Sequence, residues 1–338
     1  MRYISLFSGI EAATVAAEGL DWEPVAFSEI DPFPSAVLAY HYPEVPNLGD
    51  ITKVDWRPYR GKCDLIVGGS PCQSFSIAGK REGLNGESGL MWEYVRAIRE
   101  VRPEWILWEN VPGALSSGGG DDFLCLLSAL DELGYGLAWR ILDAQFFGVP
   151  QRRRRVFLVG HFGDRPPTEV LFERESLRGD FETNRKKREA LAARACRCAD
   201  EAKSDCLNAG DPHAILCVAD DNAHAAIDKD VCGTLKVGGA APMVAYDESS
   251  LTLSMPNAQT FFDDTGGEMV VRKLTPTECE RLQGFPDYYT KVPYKGKPAE
   301  DCPDTPRYKA LGNSMSVPVM RWIFERLDTA SKGSTIDD

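Results

Sequence analysis

The sequence predicts an α/β fold: a doubly wound sheet of mixed strand direction, with a second, smaller and irregular domain. Two observations carry this prediction. Short apolar runs alternate with helical segments over residues 1–160, which is typical of a mainly parallel sheet covered by helices. From residue 161 to about residue 270, mixed-charge and then Gly-, Ala- and Asp-rich segments interrupt this pattern.

The strand and helix signals follow one another along the chain. Each predicted strand is a short apolar run bounded by turn residues, and each predicted helix favours helical residues between such runs. The predicted strands span residues 3–7, 25–29, 64–67, 105–108 and 155–160. The predicted helices span residues 11–20, 35–41, 90–101, 122–133, 275–282 and 317–327. The first four strands each lead into residues that can take part in chemistry.

We expect three segments and a tail. Residues 1–160 form the main domain, residues 161–270 the smaller domain, and residues 271–330 return to the main domain. Residues 331–338 form a tail, within a stretch from Thr329 that is expected to fray.

Composition indicates an ordinary globular enzyme of a reducing compartment. The 338 residues are 43% hydrophobic, which is enough for a full core. Ser8, Glu11 and Glu18 break the apolar N-terminal stretch, so it fits neither a signal peptide nor a membrane span, and we expect a cytoplasmic protein without a membrane partner. The ten cysteines form neither a disulfide framework nor a paired metal-binding motif, so we expect no metal. The loose cluster at positions 196, 198, 206 and 217 is included in that expectation.

The net charge of −13 argues against indiscriminate binding of polyanions. The charge is uneven, however. Residues 1–150 carry 11 basic and 21 acidic side chains, whereas residues 151–200 carry 13 basic and 8 acidic ones. A nucleic acid would therefore bind at a local basic strip.

Cys72 is the first candidate for chemistry. It lies between Pro71 and Gln73, directly after a strand that ends in glycines. This pattern predicts a thiol on an accessible loop, where nearby cations could lower its pKa and make it a nucleophile. A turn cysteine without a function is equally compatible with the spacing.

Glu109 and the arginine run Gln151 to Arg155 are the second and third candidates. Glu109 ends a predicted strand, where a carboxyl group can hydrogen-bond a bound base. Alternation along an extended chain places Arg153 and Arg155 on one face and Arg152 and Arg154 on the other, so one pair can point into a cleft while the other pair meets phosphates. The alternatives are a capping or surface acid and a solvated charge run.

Phe7-Ser8-Gly9 and Glu29 give a weaker, nucleotide-binding signal. The pattern GxGxxG is absent, so a nicotinamide enzyme is poorly supported. The acid at the end of the second strand is still suited to hydrogen-bond a ribose hydroxyl.

Taken in order, these motifs resemble the motif series of the DNA cytosine-5 methyltransferases, over about residues 1–160 and 272–327. The motifs that carry the resemblance are Phe7-Ser8-Gly9, Glu29-Ile30-Asp31, Gly49-Asp50-Ile51, Pro71-Cys72-Gln73 with Phe75-Ser76, Glu109-Asn110-Val111, Gln151 to Arg155, Arg272 to Pro276 with Glu278-Cys279, Gln283 to Pro286, and Gly312-Asn313-Ser314.

The resemblance implies the Rossmann-like sheet of class I methyltransferases and a DNA (cytosine-5-)-methyltransferase activity. The cosubstrate would be S-adenosyl-L-methionine, with S-adenosyl-L-homocysteine as product, and the partner double-stranded DNA bound by a monomer. Cys72 matches the nucleophile that adds to cytosine C6, and Glu109 matches the acid that contacts N3 and the exocyclic amine. Arg153 and Arg155 match the arginines that hold the base. The target cytosine must be flipped out of the duplex.

The resemblance also implies binding residues. Residues 1–160 would be the catalytic and cofactor-binding domain, and residues 161–270 the target-recognition domain. The cofactor residues are Phe7, Gly9, Glu29, Ile30, Asp50, Ile51, Pro71 and Asn313. The DNA-binding residues are Gln73, Ser76, Lys80 and Thr234. One departure is that Glu11 stands where the family commonly has a second glycine, so it could crowd the methionine end of the cofactor.

Three other functions stay open. An RNA methyltransferase of the same chemistry is one, a catalytically silent DNA-binding relative is the second, and a nicotinamide-dependent oxidoreductase is the third. The long middle segment favours DNA over RNA. A restriction partner, an orphan enzyme or a phage self-protection enzyme, in a bacterial cell or a phage-infected host, would each fit the sequence.

Overall fold

The computed structural model describes residues 1–70, 89–163, 166–172 and 268–333, together with four short strands between residues 216 and 262. For the strands from residue 216 to residue 272, the description covers the backbone alone. The chain divides into two compact units. Unit 1 comprises Met1–Leu142, Arg154–Arg178 and Val319–Asp338, and unit 2 comprises Asp143–Arg153 and Gly179–Pro318.

Unit 1 is built on a six-stranded mixed sheet with the order β2-β1-β3-β4-β6-β5. Strands β1, β2, β3 and β4 are parallel to one another, and β6 runs antiparallel to β4. The strands are β1 (Arg2–Leu6), β2 (Glu23–Ser28), β3 (Leu65–Gly68), β4 (Trp105–Asn110), β5 (Tyr135–Asp143) and β6 (Arg154–Phe162). This sheet confirms the predicted α/β fold class.

The helices of unit 1 follow the strands. They are α1 (Ala12–Ala17), α2 (Pro32–His41), α3 (Leu90–Val101), α4 (Asp121–Glu132) and α5 (Thr168–Leu171), while α8 (Val317–Gly333) falls mainly in unit 1. Asp31 caps α2 by accepting a hydrogen bond from the Phe33 N–H, and proline occupies the first helical turn. Within the described residues, no helix is both long and apolar enough to cross a membrane.

The core of unit 1 lies between the sheet and its helices. The central strands β1, β3 and β4 are almost entirely buried, as expected for parallel strands covered on both faces. Ile4, Ile66 and Trp108 of these strands belong to one hydrophobic cluster with Tyr94 and Ile98 of α3. The spacing of these α3 residues explains why that helix packs one apolar face against the sheet.

The strand order reverses at β1, which has β2 on one side and β3 on the other. In sheets of this kind, ligands bind in the crevice at the carboxyl ends of the strands, where the order reverses. Because β6 is antiparallel to β4, it begins at the edge where β4 ends. The fold therefore brings the start of β6 to the same edge.

Unit 2 contains an antiparallel five-stranded sheet with the order β10-β11-β9-β7-β8. Its strands are β7 (Leu216–Val218), β8 (Ile227–Lys229), β9 (Met243–Asp247), β10 (Gln259–Phe262) and β11 (Glu268–Lys273). Helices α6 (Pro276–Gln283) and α7 (Asp304–Asn313) follow. Thr275 and Glu278 form a capping box at the start of α6, as the sequence Thr-Pro-Thr-Glu suggests.

Three features differ from the sequence predictions. Strand β5 was not predicted. Helix α8 continues to Gly333, so residues 329–333 are helical and not a frayed end. Asp328 stabilises this end of the helix, because it accepts hydrogen bonds from Trp22 at 3.1 Å and from Lys332 at 2.6 Å. The two units also divide the chain differently from the predicted segments 1–160, 161–270 and 271–330, since residues 271–318 belong to unit 2. The target-recognition role of residues 161–270 stays a prediction.

Candidate active site

The candidate site lies at the carboxyl ends of β1, β3 and β4. Leu6 pairs with Gly68 and Gly68 with Trp108, so the ends of the three strands are adjacent. Each of these strands is followed or ended by a segment that the sequence singled out.

Glu29, directly after β2, reaches across to the turn that follows β1. Its Oε2 accepts a hydrogen bond from the Gly9 N–H at 2.8 Å, and its Oε1 accepts one from the Asp31 N–H at 2.6 Å. Burial raises the pKa of Glu29, and the backbone N–H groups of Asp31 and Gly9 oppose that rise. Each carboxylate oxygen has a second lone pair, so Glu29 can still accept hydrogen bonds from ribose hydroxyls.

The turn after β1 holds its shape through Ser8. The Ser8 hydroxyl donates to the Ser5 carbonyl at 2.8 Å and accepts from the Ser28 N–H at 3.2 Å. Phe7 and Gly9 both have left-handed backbone conformations, with φ of 54° and 56°. That conformation is unfavourable for Phe7, and such outliers persist where the surrounding structure fixes them, often at ligand sites.

Ile30, Asp50 and Ile51 have different surroundings. Ile30 is 70% exposed, so an apolar face stands open next to Glu29. Asp50 caps the short helical turn Ile51–Lys53 by accepting hydrogen bonds from the Thr52 N–H and hydroxyl. These bonds, together with the positive charge of the nearby Lys53, lower the pKa of Asp50. Ile51 is buried in the core, so a ligand could contact only its backbone.

Glu29 and Ile30 fit the nucleoside end of S-adenosylmethionine. A carboxylate with acceptor capacity suits the ribose hydroxyls, and an exposed aliphatic side chain beside it suits a flat, apolar base. The predicted residues Phe7, Gly9, Glu29 and Ile30 are brought together at this corner.

Glu11 does not line an open cleft. It is fully buried, and its carboxylate turns to cap α1, accepting from the Thr14 N–H and hydroxyl at 3.1 Å each. Its backbone has φ 66°, a conformation that glycine adopts more readily. Burial raises the pKa of Glu11 to about 7, against hydrogen bonds from Ser5 and Thr14 that lower it. The crowding of the methionine end by Glu11 stays a prediction.

Glu109 and Arg155 form an ion pair at the edge where β4 ends and β6 begins. The Arg155 Nε lies 3.1 Å from the Glu109 Oε1, and both side chains are largely buried. An ion pair with little solvent is stronger than a surface pair and fixes the orientation of both groups. The structure thus joins two of the predicted catalytic residues.

Ser70 is the last described residue before the segment that contains Cys72, and β4 holds it in place. The Trp108 Nε1–H donates to the Ser70 hydroxyl at 3.1 Å, and the Asn110 Nδ2–H donates to the Ser70 carbonyl at 2.8 Å. Asn110 neighbours Glu109 in sequence. These two bonds attach the start of the Cys72 segment to the strand that carries Glu109.

Arg153 belongs to unit 2 and contacts the end of α7 in the same unit. Its Nη2 donates to the carbonyls of Ser314 at 2.6 Å and Gly312 at 3.3 Å, which flank the exposed Asn313. Burial along the run alternates as predicted: Arg152 and Arg154 are exposed, whereas Arg153 is buried. Arg153 therefore holds the segment that carries Asn313, and its role in holding the base stays a prediction.

Several predicted site residues lie outside the described residues. They are Pro71, Cys72, Gln73, Ser76, Lys80 and Thr234. Three of the four cysteines of the loose cluster, at positions 196, 198 and 206, also lie outside them. Their roles stay predictions.

Sequence reasoning missed residues that hold the predicted ones. Arg96 of α3 donates to the Ile51 carbonyl at 2.7 Å and the Val54 carbonyl at 2.9 Å, which attaches the turn after Asp50 to the core. Asn47 makes a similar set of hydrogen bonds just beyond β2, to Glu29, Ser35 and Gly49. Its only sequence signal is a Pro-Asn-Leu-Gly stretch, which by itself indicates no more than a turn.

Comparison with known proteins gives one family for nearly the whole chain. The C-5 cytosine-specific DNA methylase family matches residues 1–329. A DNA N-6-adenine-methyltransferase of Escherichia phage P1 is 34% identical over 97% of this chain, which spans 61% of that relative. Type II methyltransferase M2.BsuMI of Bacillus subtilis (strain 168) is 31% identical over 100% of this chain and 77% of its own length.

A solved structure has the same fold. The crystal structure of the S. pombe Dnmt2 methyltransferase superimposes with a TM-score of 0.63, covering 98% of this chain and 99% of the other. At 19% identity, this likeness bears on the fold alone.

Proposed function

The chain belongs to the C-5 cytosine-specific DNA methylase family, and from this premise we propose that it methylates C5 of a specific cytosine in duplex DNA through a covalent intermediate on Cys72. The pair of Glu109 and Arg155 carries the proposal. It lies at the strand end to which Ser70, two residues before Cys72, is hydrogen-bonded through Trp108 and Asn110.

The covalent step explains why a thiol is needed. C5 of cytosine is a poor nucleophile, and addition of the Cys72 thiolate to C6 converts the ring into an enamine that is nucleophilic at C5. S-adenosylmethionine supplies an electrophilic methyl group on a sulfonium. After methyl transfer to C5, the C5 proton leaves to a base, the C6–S bond breaks, and the Cys72 thiolate is released.

Glu109 and Arg155 act on the base. Glu109 contacts N3 and the exocyclic amine of the base and orients the ring for addition of Cys72 to C6. Arg155 orients Glu109 through their ion pair. None of these groups can reach C6 inside a stacked duplex, so the cytosine is flipped out before reaction.

The nucleoside end of S-adenosylmethionine is held by what we call the cofactor corner, which consists of Phe7, Gly9, Glu29, Ile30 and Asp50. Glu29 binds the ribose hydroxyls, the open face of Ile30 packs on the adenine, and Asp50 contacts the adenine edge. On the family resemblance, Asn313 is also proposed as a cofactor-binding residue. Gln73, Ser76, Lys80 and Thr234 contact DNA, and the enzyme acts as a monomer.

Methylation of adenine N6 is the alternative that the name of the P1 relative raises. The exocyclic amine of adenine attacks a methyl group directly, so that reaction has no use for a thiol that adds to the ring. This chain spans 61% of the P1 relative, so the activity in that name need not lie in the shared part. The motif set from Cys72 to Arg155 favours cytosine.

Identification of the methylated nucleoside tests the proposal. Duplex DNA of mixed sequence is incubated with methyl-labelled S-adenosylmethionine and digested to nucleosides. We expect the label in 5-methylcytosine. Label in N6-methyladenine, or transfer to RNA and not to DNA, would contradict the proposal.

Two cysteine variants control this experiment. Cys72→Ala should lose methyl transfer by at least about a thousandfold, because the nucleophile is gone. Cys125→Ala, which replaces an exposed cysteine on α4, should retain it. Equal loss in both variants would indicate a general effect of removing thiols.

A further inference from the structure

Asn47 lies at the edge of the six-stranded sheet, beyond β2. Residue 47 forms an isolated parallel bridge with Phe27, supported by backbone hydrogen bonds from the Phe27 N–H to the Pro46 carbonyl and from the Leu48 N–H to the Phe27 carbonyl. Strand β2 is the edge strand of this sheet, and within the described residues the segment around Asn47 pairs with it at this one position. A single bridge fixes a segment less firmly than a ladder of several pairs.

The Asn47 side chain makes four hydrogen bonds at this point. Its Oδ1 accepts from the Glu29 N–H at 3.0 Å and the Gly49 N–H at 3.2 Å, and its Nδ2 donates to the Glu29 carbonyl at 3.1 Å and the Ser35 hydroxyl at 3.2 Å. The amide therefore uses both its acceptor and its donor group.

These bonds connect two parts of the cofactor corner. On one side, Asn47 holds both backbone polar groups of Glu29, whose carboxylate is held by Gly9 and Asp31. On the other side, Asn47 holds Gly49, which has φ 71° and directly precedes Asp50. The Ser28 hydroxyl adds a bond to the Gly49 carbonyl at 2.8 Å.

We propose that Asn47 is a positioning residue that sets the spacing between the ribose-binding Glu29 and the adenine-binding Asp50, at an edge where the described part of the chain forms one bridge with β2. The inference rests on the proposed function, because it assumes that a nucleoside binds at this corner. Asn47 itself is exposed and touches neither reacting atom.

The test is binding of S-adenosylhomocysteine and of adenosine, measured by calorimetry or competition on the full chain. Asn47→Ala should weaken both ligands by the same factor, about tenfold, because both carry the adenine and the ribose. At saturating cofactor, kcat should change little, so the effect on methyl transfer should be in KM.

Two further variants make the result specific. Asn47→Asp keeps the acceptor for Glu29 and Gly49 and should recover part of the affinity. Glu44→Ala, at an exposed position of the same loop, should bind both ligands as the wild type does. A thermal melting curve of each variant shows whether it is folded.

The outcomes separate the inference from the proposed function. If the wild type binds S-adenosylhomocysteine and Asn47→Ala binds it equally well, or loses only thermal stability, the inference is overturned. A loss for S-adenosylhomocysteine without a loss for adenosine would also overturn it. If the wild type binds neither ligand, the proposed function itself fails.

Discussion

Two carboxylates, one half-buried and one fully buried, lie close to the turn after β1, and their contacts suit them to different functions. Glu29 accepts from the backbone N–H groups of Gly9 and Asp31 and retains acceptor capacity at an edge where a ligand can bind. Glu11 is turned into the helix that it caps and is fully buried. Glu29 is therefore suited to binding a ligand. Glu11 instead stabilises the start of α1, and the free energy cost of burying it depends on whether its carboxyl group is ionised.

Glu11 should make stability depend on pH. Its pKa is about 7 in the folded chain against an ordinary value of 4.5, so between these values the folded state binds more protons than the unfolded state. The free energy of unfolding should therefore fall as pH rises from about 4.5 to about 7 and level off above that. Because one pKa unit corresponds to about 1.4 kcal/mol, the loss from this group is on the order of 3 kcal/mol.

Urea unfolding at pH 5 and pH 8 measures this effect. Glu11→Gln cannot ionise, so it should lose this part of the pH dependence and be more stable than the wild type at pH 8. Glu18→Gln, at the exposed far end of α1, should keep the wild-type dependence. If Glu11→Gln and the wild type respond equally to pH, the carboxylate is not buried as described.

At the scale of elements, the site depends on how closely β1, β3 and β4 approach. Gly68 ends β3 where no side chain fits: a Cβ there would lie 2.8 Å from the Leu6 carbonyl oxygen and 3.1 Å from the Leu6 Cβ. Because backbone atoms of a central strand cannot move aside cheaply, the glycine permits this close approach. The short distance between β1 and β3 at this point sets the distance between the turn after β1 and Ser70.

Gly68→Ala should therefore separate β1 from β3. We expect it to lower the free energy of unfolding by about 1–3 kcal/mol, as overpacking does, and to weaken cofactor binding. Gly113→Ala is the matched control, because the nearest atom to its Cβ would be 4.0 Å away. Chemical unfolding of both variants checks this. Equal stability of Gly68→Ala and the wild type would show that the two strands can separate without cost.

Local patterns predicted some elements better than others. The predicted bounds of α3 agree with the structure, since its apolar residues have clear helical spacing and Gly89 precedes it. Strand β5 was missed because burial along it does not alternate regularly, and it lies at the sheet edge. The end of α8 was predicted too early, because the bond from Trp22 to Asp328 joins residues far apart in sequence.

At the scale of the whole molecule, the ordered set of motifs was enough to predict the family, and the match over residues 1–329 confirms it. The residues that hold the site were not predictable in the same way. Asn47, Ser70 and Arg96 act through contacts with residues distant in sequence, so their roles depend on the folded sheet. The chain's net charge of −13 is also compatible with a DNA enzyme only if basic groups are concentrated locally.

The most direct test of the central claim is covalent trapping on duplex DNA in which cytosine is replaced by 5-fluorocytosine, with S-adenosylmethionine present. The substituted base has no C5 proton to lose, so elimination of the thiol stalls. We predict an adduct that resists denaturation, forms with the wild type and with Cys125→Ala, and is absent with Cys72→Ala. No adduct on DNA that the enzyme binds, or an adduct that persists in Cys72→Ala, would contradict the proposed mechanism.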